Sequence, residues 1–436
     1  QGHWSYFIRR MDKKHCVKLS VQPSRALVDE KFIVLVQNAP PGFQMTIHSL
    51  HHSEDGHSWE AFGHYTADAT GTVNVSQDHS VGGTYSGVEP MGLLWSLRPV
   101  PGSKSWLRFR KMNVETPMEV TISVYQGHQT VFVDQVQLAS VVAERWYMAP
   151  GVRRIPVTES DLTATLFLPP GPGPFPGVLD LWGGAGQLVE YRSALLASHG
   201  FASLALDYLT AKITLKTGKM VENDYFETAY KFLQEHPQVS GSRIAMMGLS
   251  FGTAMTLKMA VYSEVMKVRR ICFRNMDYKC YLFVCLNSKK VRFTEEKQAI
   301  YRDLLLPIPT DPGMKVDVGR LQCPLLLIVG EDDQNWAAPE FAQDIKEMME
   351  QAGNSHLLTL LSYPNTGHLI EPPYSPHTRA GMLKAVHVNK MFVVLWGGET
   401  MAHSCAQEDA WRKTLAFLWE NLYDRKNSAV TSMSHL

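Results

Sequence analysis

The sequence predicts an α/β protein, with a mostly parallel sheet covered by helices and an antiparallel β-sandwich of immunoglobulin-like size in front of it. Three observations carry this expectation. From Val17 to Ala149, short runs of alternating apolar residues are separated by turn residues. Beyond a boundary near Gly151, apolar runs alternate with segments of helical period, as a parallel sheet with crossover helices requires. A serine, an aspartate and a histidine then follow in that order, each just past the C-terminal end of a candidate strand. That chain order belongs to the α/β-hydrolase arrangement and not to the chymotrypsin or subtilisin ones. The expected division is residues 13–150, residues 151–425 and a tail, 426–436.

A chain of 436 residues is too long for one ordinary domain. Hydrophobic residues make up 45% and there are ten Trp, enough for substantial cores. Lys+Arg and Asp+Glu balance at 42 each, so no basic excess points to nucleic acid and no charge block points to a disordered tail. Apolar runs such as 281–286 and 324–330 are far short of a membrane span. Gln1-Gly2-His3-Trp4 lacks the apolar core of a signal peptide, and without an initiator Met a trimmed or incomplete chain is the expectation. Cys16, Cys272, Cys280, Cys285, Cys323 and Cys405 contain no Cys-x-x-Cys pair and read as reduced thiols, with a metal site at Cys272, Cys280 and Cys285 the weaker alternative.

In the first part, Val17-Lys-Leu-Ser-Val21, Phe32-Ile-Val-Leu-Val36 and Met45-Thr-Ile-His-Ser49 are expected strands, as are Val120-Thr-Ile-Ser-Val124 and Val131-Phe-Val133. Turn residues, among them Ala39-Pro-Pro-Gly42 and Val81-Gly-Gly83, separate them. His48, His51, His52, His57 and His64 cluster here, either as a metal site or as loop histidines on a surface hairpin.

In the second part, Gly177-Val-Leu-Asp-Leu181 is an expected strand. A helix over 188–198 follows, closed by Gly200 where positive φ is needed, and Ala202-Ser-Leu-Ala-Leu206 is the next strand. Residues 225–235 form an amphipathic helix with Asp224 as cap. Ser404-x-x-Gln407 resembles a capping box and opens a final helix to about Leu422.

The chemistry-bearing motif is Ile244-Ala-Met-Met-Gly248-Leu-Ser250-Phe-Gly252. An apolar run feeds Gly-x-Ser-x-Gly and a helix-compatible sequence follows, the layout of a nucleophile elbow. Small residues flank Ser250 because a strained turn leaves no room for side chains, and the next helix aims its positive end where an oxyanion forms. The run 325–330 leads into Glu331-Asp332-Asp333, and the run 357–361 is followed by Gly367-His368. Gly183-Gly184-Ala185-Gly186 lacks the spacing of a P-loop or a dinucleotide fingerprint. In this arrangement the loop supplies an oxyanion amide, assigned to Gly184, beside that of Phe251. Ser434-His435-Leu436 resembles the C-terminal peroxisomal signal Ser-Lys-Leu, with His in place of Lys.

Longer segments carry a family resemblance. They are Pro90-Met-Gly-Leu-Leu-Trp-Ser-Leu97, Glu144-Arg-Trp-Tyr-Met-Ala-Pro-Gly151 and residues 171–206, followed by residues 361–376 and Trp396-Gly-Gly-Glu399. On these the chain resembles the acyl-CoA thioesterase and bile acid-CoA:amino acid N-acyltransferase family, which pairs an N-terminal β-sandwich with an α/β-hydrolase domain. The resemblance implies a triad of Ser250, Asp333 and His368, with Asp332 the rival acid. It implies an acyl-CoA substrate, no metal or redox cofactor, and peroxisomal residence, with Ser434-His435-Leu436 read by an import receptor and the cytosol as the alternative. Thioesterase members carry Ser at the nucleophile position and the conjugating acyltransferase typically Cys, so Ser250 tilts the expectation toward hydrolysis. Transfer to glycine or taurine is the second expectation and an inactive binding protein the third. Two stretches depart from the family, and the first of them motivates the third expectation. Residues 267–307 carry charges where a central strand is expected, which leaves 281–286 as the better strand, and residues 380–394 also diverge.

Overall fold

The computed structural model describes residues 16–184, 187–209, 221–266, 270–274, 290–385 and 390–423. Two compact units result. The first comprises the residues up to Ser105 with Phe109–Trp146 and Pro373–His377. The second comprises Trp106–Arg108, Tyr147–Pro372 and the residues from Thr378 on.

In the first unit, a six-stranded sheet runs in the order Arg25–Leu27, Ala139–Trp146, Met118–Gln126, Gln44–His52, Ser58–Thr66, Arg98–Pro99. It is antiparallel except at one edge, where Arg25–Leu27 lies parallel to its neighbour. Lys18–Gln22, Ile33–Gln37 and Val73–Asn74 make a second, three-stranded sheet. Strand alternation is visible in Val34 and Val36, which are buried, whereas Ile33 is exposed. Val131–Val133, an expected strand, is not one. It keeps an out-in-out alternation, with Val131 and Val133 exposed and Phe132 packed on His48 at 4.0 Å, but it has no ladder partner and turns away at Asp134 (φ 60°). The histidines are also not on a surface loop. His48, His51 and His52 lie in Gln44–His52 and His64 in Ser58–Thr66, with only His57 in the connecting turn, and His48, His51 and His64 are buried.

The main sheet of the second unit has eight strands. They are β1 (Arg153–Val157), β2 (Ala164–Leu168), β3 (Phe175–Leu181), β4 (Ala202–Leu206), β5 (Val239–Leu249), β6 (Arg270–Arg274), β7 (Leu325–Gly330) and β8 (Leu358–Tyr363). Their spatial order is β1-β2-β4-β3-β5-β6-β7-β8, with β2 antiparallel to both neighbours and every other ladder parallel. This is an α/β-hydrolase sheet. The charged stretch is its central strand, a correction to the expectation from sequence. Arg270 and Arg274 stand at the two ends of β6, and Ile271-Cys-Phe273 occupies the span between β5 and β7. The competing stretch 281–286 and Cys280 and Cys285 lie outside the described residues.

Five helices position the site: α1 (Tyr191–Ser198), α2 (Asn223–Glu235), α3 (Phe251–Tyr262), α4 (Ala338–Gln351) and α5 (Thr400–Leu422). Gly200 closes α1 at φ +93°, as a left-handed cap requires. The buried Arg192 and Ser193 of α1 donate to the buried Asp180 of β3 and tie helix to sheet. α2 buries Phe226, Ala229, Tyr230 and Leu233, the stripe of an amphipathic helix. Its cap position is Glu222, and Asp224 lies within the first turn instead. α5 starts earlier than the Ser404 box implies. The Glu399 carboxylate accepts the amides of Met401 and Ala402, and Ser404 is buried inside the helix. One apolar cluster packs α2 against β2, β3 and β4, and another packs α4 against β7. The divergent 380–394 region is a hairpin of Ala380–Ala385 and Lys390–Leu395 in a separate four-stranded sheet with Arg292–Phe293 and Ala299–Ile300.

Candidate active site

Ser250 stands between β5 and α3 with φ 54° and ψ −125°, a backbone conformation that costs a non-glycine residue about 1–3 kcal/mol. The two glycines of the motif are steric necessities of that turn. A Cβ on Gly248 would lie 2.6 Å from the Thr253 Cα, and one on Gly252 would lie 2.2 Å from the Leu181 carbonyl oxygen. Ser250 is thereby pushed out beyond the carboxyl end of β5, ahead of the amino end of α3.

β7 and β8 end on the same side as β5 and carry the other two groups. Asp333, fully buried past the end of β7, accepts the backbone N–H groups of Asn335 (2.9 Å) and Trp336 (2.8 Å) on Oδ1. Its Oδ2 is 2.7 Å from Nδ1 of the buried His368, whose Nε2 is 2.8 Å from the Ser250 Oγ. A carboxylate can only accept, so the imidazole carries its proton on Nδ1 and offers a lone pair on Nε2 to the serine hydroxyl. The arrangement can take the hydroxyl proton as the oxygen attacks an electrophile.

Asp332 points elsewhere. Its carboxylate accepts from Arg379 (3.0 Å), the Gly398 amide (2.8 Å) and Gln334 (2.7 Å). Partial burial acts to raise its pKa, but these three donors outweigh burial and hold it below the usual carboxylate range. Asp332 therefore fastens the loop that presents Asp333.

Three glycines let the acid and histidine loops meet backbone to backbone. A Cβ on Gly330 would lie 2.3 Å from the Thr366 carbonyl oxygen, one on Gly367 2.3 Å from that of Gly397, and one on Gly397 1.8 Å from that of Asp332. Sequence reasoning missed them, although each glycine stands close to an acid, the histidine or Trp396. It also missed two residues behind the histidine. The His368 amide donates to the Trp396 carbonyl at 2.9 Å, and the indole stacks on the imidazole at 5.7 Å between centroids. His403 lies buried against the same loop.

On the opposite side, the loop after β3 approaches Ser250. Its nearest residue is Gly183, whose Cβ position is 3.2 Å from the Ser250 Cβ and 3.8 Å from Oγ, whereas a Cβ on Gly184 would meet nothing within 4 Å. Ala185 and Gly186 lie outside the described residues. The Tyr208 hydroxyl donates to the Trp182 carbonyl and holds the start of this loop. Phe251 is the first residue of α3.

The other sequence candidates are dispersed. His64 contacts the Thr46 hydroxyl at 3.0 Å and His48 the Glu60 carboxylate at 3.4 Å, and burial lowers the pKa of His51 and His64. Among the described residues no three His, Cys, Asp or Glu side chains are grouped so as to hold a metal ion. No described helix is long and apolar enough to cross a membrane. Ser434-His435-Leu436 lies outside the described residues.

Known proteins share this pattern. A family model for the acyl-CoA thioester hydrolase/BAAT N-terminal region matches residues 29–159, and one for the BAAT/acyl-CoA thioester hydrolase C terminal matches residues 221–424. The chain is 37% identical over 417 residues to the peroxisomal succinyl-coenzyme A thioesterase of Mus musculus, covering 93% of this chain and 96% of that protein. It is 36% identical to acyl-coenzyme A thioesterase 3 of Mus musculus, covering 92% of this chain and 93% of that protein. It is 34% identical to acyl-coenzyme A thioesterase 1 of Homo sapiens, covering 93% and 96%. The chain belongs to the acyl-CoA thioester hydrolase/BAAT family.

Proposed function

We propose that this chain hydrolyses acyl-CoA thioesters to a free carboxylic acid and coenzyme A, with Ser250 as nucleophile, His368 as general base and Asp333 as its orienting acid. The observation that carries the reading is the unbroken relay of 2.7 Å and 2.8 Å ending on a hydroxyl held out by a strained elbow. His368 takes the Ser250 proton as Oγ attacks the thioester carbonyl. The amides of Phe251 and Gly184, with Gly183 beside the hydroxyl, are the proposed oxyanion donors, each worth about 3 kcal/mol in comparable enzymes. Asp333 holds the tautomer and stabilises the imidazolium. The thiolate of coenzyme A departs with the acyl group left on Ser250, because a thiol, with a pKa of about 8.5 for cysteine, is a far better leaving group than an amine. His368 gives its proton to the departing thiolate, then deprotonates the water that attacks the acyl group and returns that proton to the Ser250 oxygen as the acid leaves. None of these steps calls on a metal or redox cofactor.

Hydrolysis of a series of acyl-CoA esters by the wild type and Ser250→Ala, with and without glycine or taurine, tests the reading. Turnover lost in Ser250→Ala and free acid as the product support it. Intact turnover in the variant refutes the nucleophile, and an amide product would make the chain a conjugating acyltransferase. Absence of turnover and of any acyl adduct on Ser250 in folded wild type would make it a binding protein.

We read the first unit, expected at 13–150, as an immunoglobulin-like sandwich, in line with its six- and three-stranded sheets, and 151–425 as the catalytic domain. Residence in the peroxisome through Ser434-His435-Leu436 is supported by the name of the mouse relative, although another mouse relative is named mitochondrial. Deletion of residues 434–436 with imaging of the tagged chain decides it.

A further inference from the structure

We propose that His403 is a positioning residue of this site, which sets the catalytic imidazole by gripping the backbone on both sides of His368. This inference rests on the reading of His368 as the general base. His403 is fully buried in the first turn of α5. Its two ring nitrogens face backbone groups of Gly367 and Leu369, the two residues on either side of His368. The Gly367 N–H donates to Nδ1 at 3.1 Å, and Nε2 lies 2.7 Å from the Leu369 carbonyl. A backbone N–H can only donate and a carbonyl can only accept, so the tautomer is forced: a lone pair on Nδ1 and a proton on Nε2.

The grip is part of a wider clamp. The Glu399 amide donates to the Asn365 carbonyl at 2.8 Å, and the His368 amide donates to the Trp396 carbonyl at 2.9 Å. His403 is itself held by its own amide, which donates to the Glu399 carbonyl at 2.8 Å, while the Glu399 carboxylate caps α5. The loop 365–369 is thus fastened at four points, residues 365, 367, 368 and 369, to the start of α5 and the segment before it. The register of α5 thereby sets where the His368 Nε2 stands relative to the Ser250 Oγ. Burial outweighs the raising effect of the Leu369 carbonyl and, with a smaller contribution from the neighbouring His368, pushes the pKa of His403 down to about 4, so the ring stays neutral near neutral pH. A protonated His403 would set an Nδ1–H against the Gly367 N–H and break the grip. The Trp396-Gly-Gly-Glu399 motif, which no catalytic role explains, is accounted for as the frame of this clamp.

The test uses the full chain with His403→Phe and His403→Asn, beside Ser250→Ala and His368→Ala. Phe fills the space but removes both bonds to the loop, at the Gly367 N–H and the Leu369 carbonyl, whereas the Asn amide carries an acceptor and a donor. The expected result for His403→Phe is a kcat lowered on the order of 100-fold with KM changed by less than about threefold, since a slight misplacement of a reacting group costs that much. Labelling of Ser250 by a fluorophosphonate slows by the same factor. His403→Asn recovers kcat to within about tenfold of wild type. The far-downfield proton resonance of the His368 Nδ1–H on Asp333 is present in wild type and His403→Asn and lost in His403→Phe. An unchanged kcat in folded His403→Phe, or an Asn variant as slow as the Phe variant, overturns the inference. If the Phe variant does not fold, the Asn variant decides: kcat within about tenfold of wild type supports the inference, and kcat lost with the resonance intact overturns it. Turnover surviving Ser250→Ala and His368→Ala would instead sink the reading of the site. Its loss there, with none in His403→Phe, sinks the positioning role alone.

Discussion

Replacing Asp333 with Asn probes the relay with a change of one atom. The structure dictates how the carboxamide sits. Oδ1 of Asp333 accepts two backbone N–H groups, from Asn335 and Trp336, so the amide oxygen is held at that position. The NH2 group must then take the place of Oδ2, 2.7 Å from the His368 Nδ1. Two donors cannot face each other, so the imidazole moves its proton to Nε2. There it donates to the Ser250 Oγ, 2.8 Å away, and cannot accept the hydroxyl proton. In the serine-protease triad this wrong tautomer lowers kcat about 10⁴-fold. The same loss is expected here, equivalent to about 5.5 kcal/mol of transition-state stabilisation. KM should change little, because Asp333 is buried behind His368. Release of the coenzyme A thiol, followed with a thiol-reactive dye, measures the effect across a series of acyl-CoA esters. Asp332→Asn is the control, with a loss below about tenfold, since Asp332 bonds Arg379, Gln334 and the Gly398 amide. An Asp333→Asn enzyme within about tenfold of wild type, or an Asp332→Asn enzyme more damaged than it, would refute the assignment of the acid and the tautomer argument together.

Other consequences follow from the same geometry. Gly252→Ala places a methyl 2.2 Å from the Leu181 carbonyl oxygen, so denaturant unfolding should show a loss of more than about 3 kcal/mol. Asp180→Ala leaves the fully buried Arg192 guanidinium without its carboxylate, and the unfolding free energy should fall by about 3–5 kcal/mol with KM unchanged in the folded fraction. For His403, the folded-state pKa of about 4 lies below the ordinary 6.5, so the unfolded chain takes up the proton first. Its contribution is complete above about pH 6.5 and is lost, by roughly 3 kcal/mol, as pH falls toward about 4. Urea unfolding across that window should show wild type losing more stability than His403→Asn.

Legibility from sequence followed the range of the forces. Gly248, Ser250 and Gly252 could be read because they lie within five residues of chain in the spacing of an elbow, and the crowding at Gly248 needs only the helix that follows, although that at Gly252 comes from the Leu181 carbonyl of β3. β7 could be read because a fully covered parallel strand is a continuous apolar run. β6 was misplaced because its central Ile271-Cys-Phe273 is only three residues long between arginines, and what makes it a strand is pairing with β5 and β7 on either side. Val131–Val133 shows the reverse, since it has the alternation of a strand and lacks a partner to pair with. The start of α5 was misread because Glu399, which is not among the preferred capping residues, reaches back to two amides that Ser404 does not approach.

The sequence by itself determined the α/β-hydrolase class of fold, the family, and a serine, a histidine and two rival aspartates able to carry a proton relay, because each announces itself through neighbours a few positions away. Only the tertiary structure decided that Asp333 rather than Asp332 faces the imidazole, that Gly183 lies against the serine, and that His403 braces the histidine loop from α5. Those outcomes depend on hydrogen bonds and backbone contacts between segments far apart in the chain, whose strength falls off over a few tenths of an ångström and which no spacing along the sequence records.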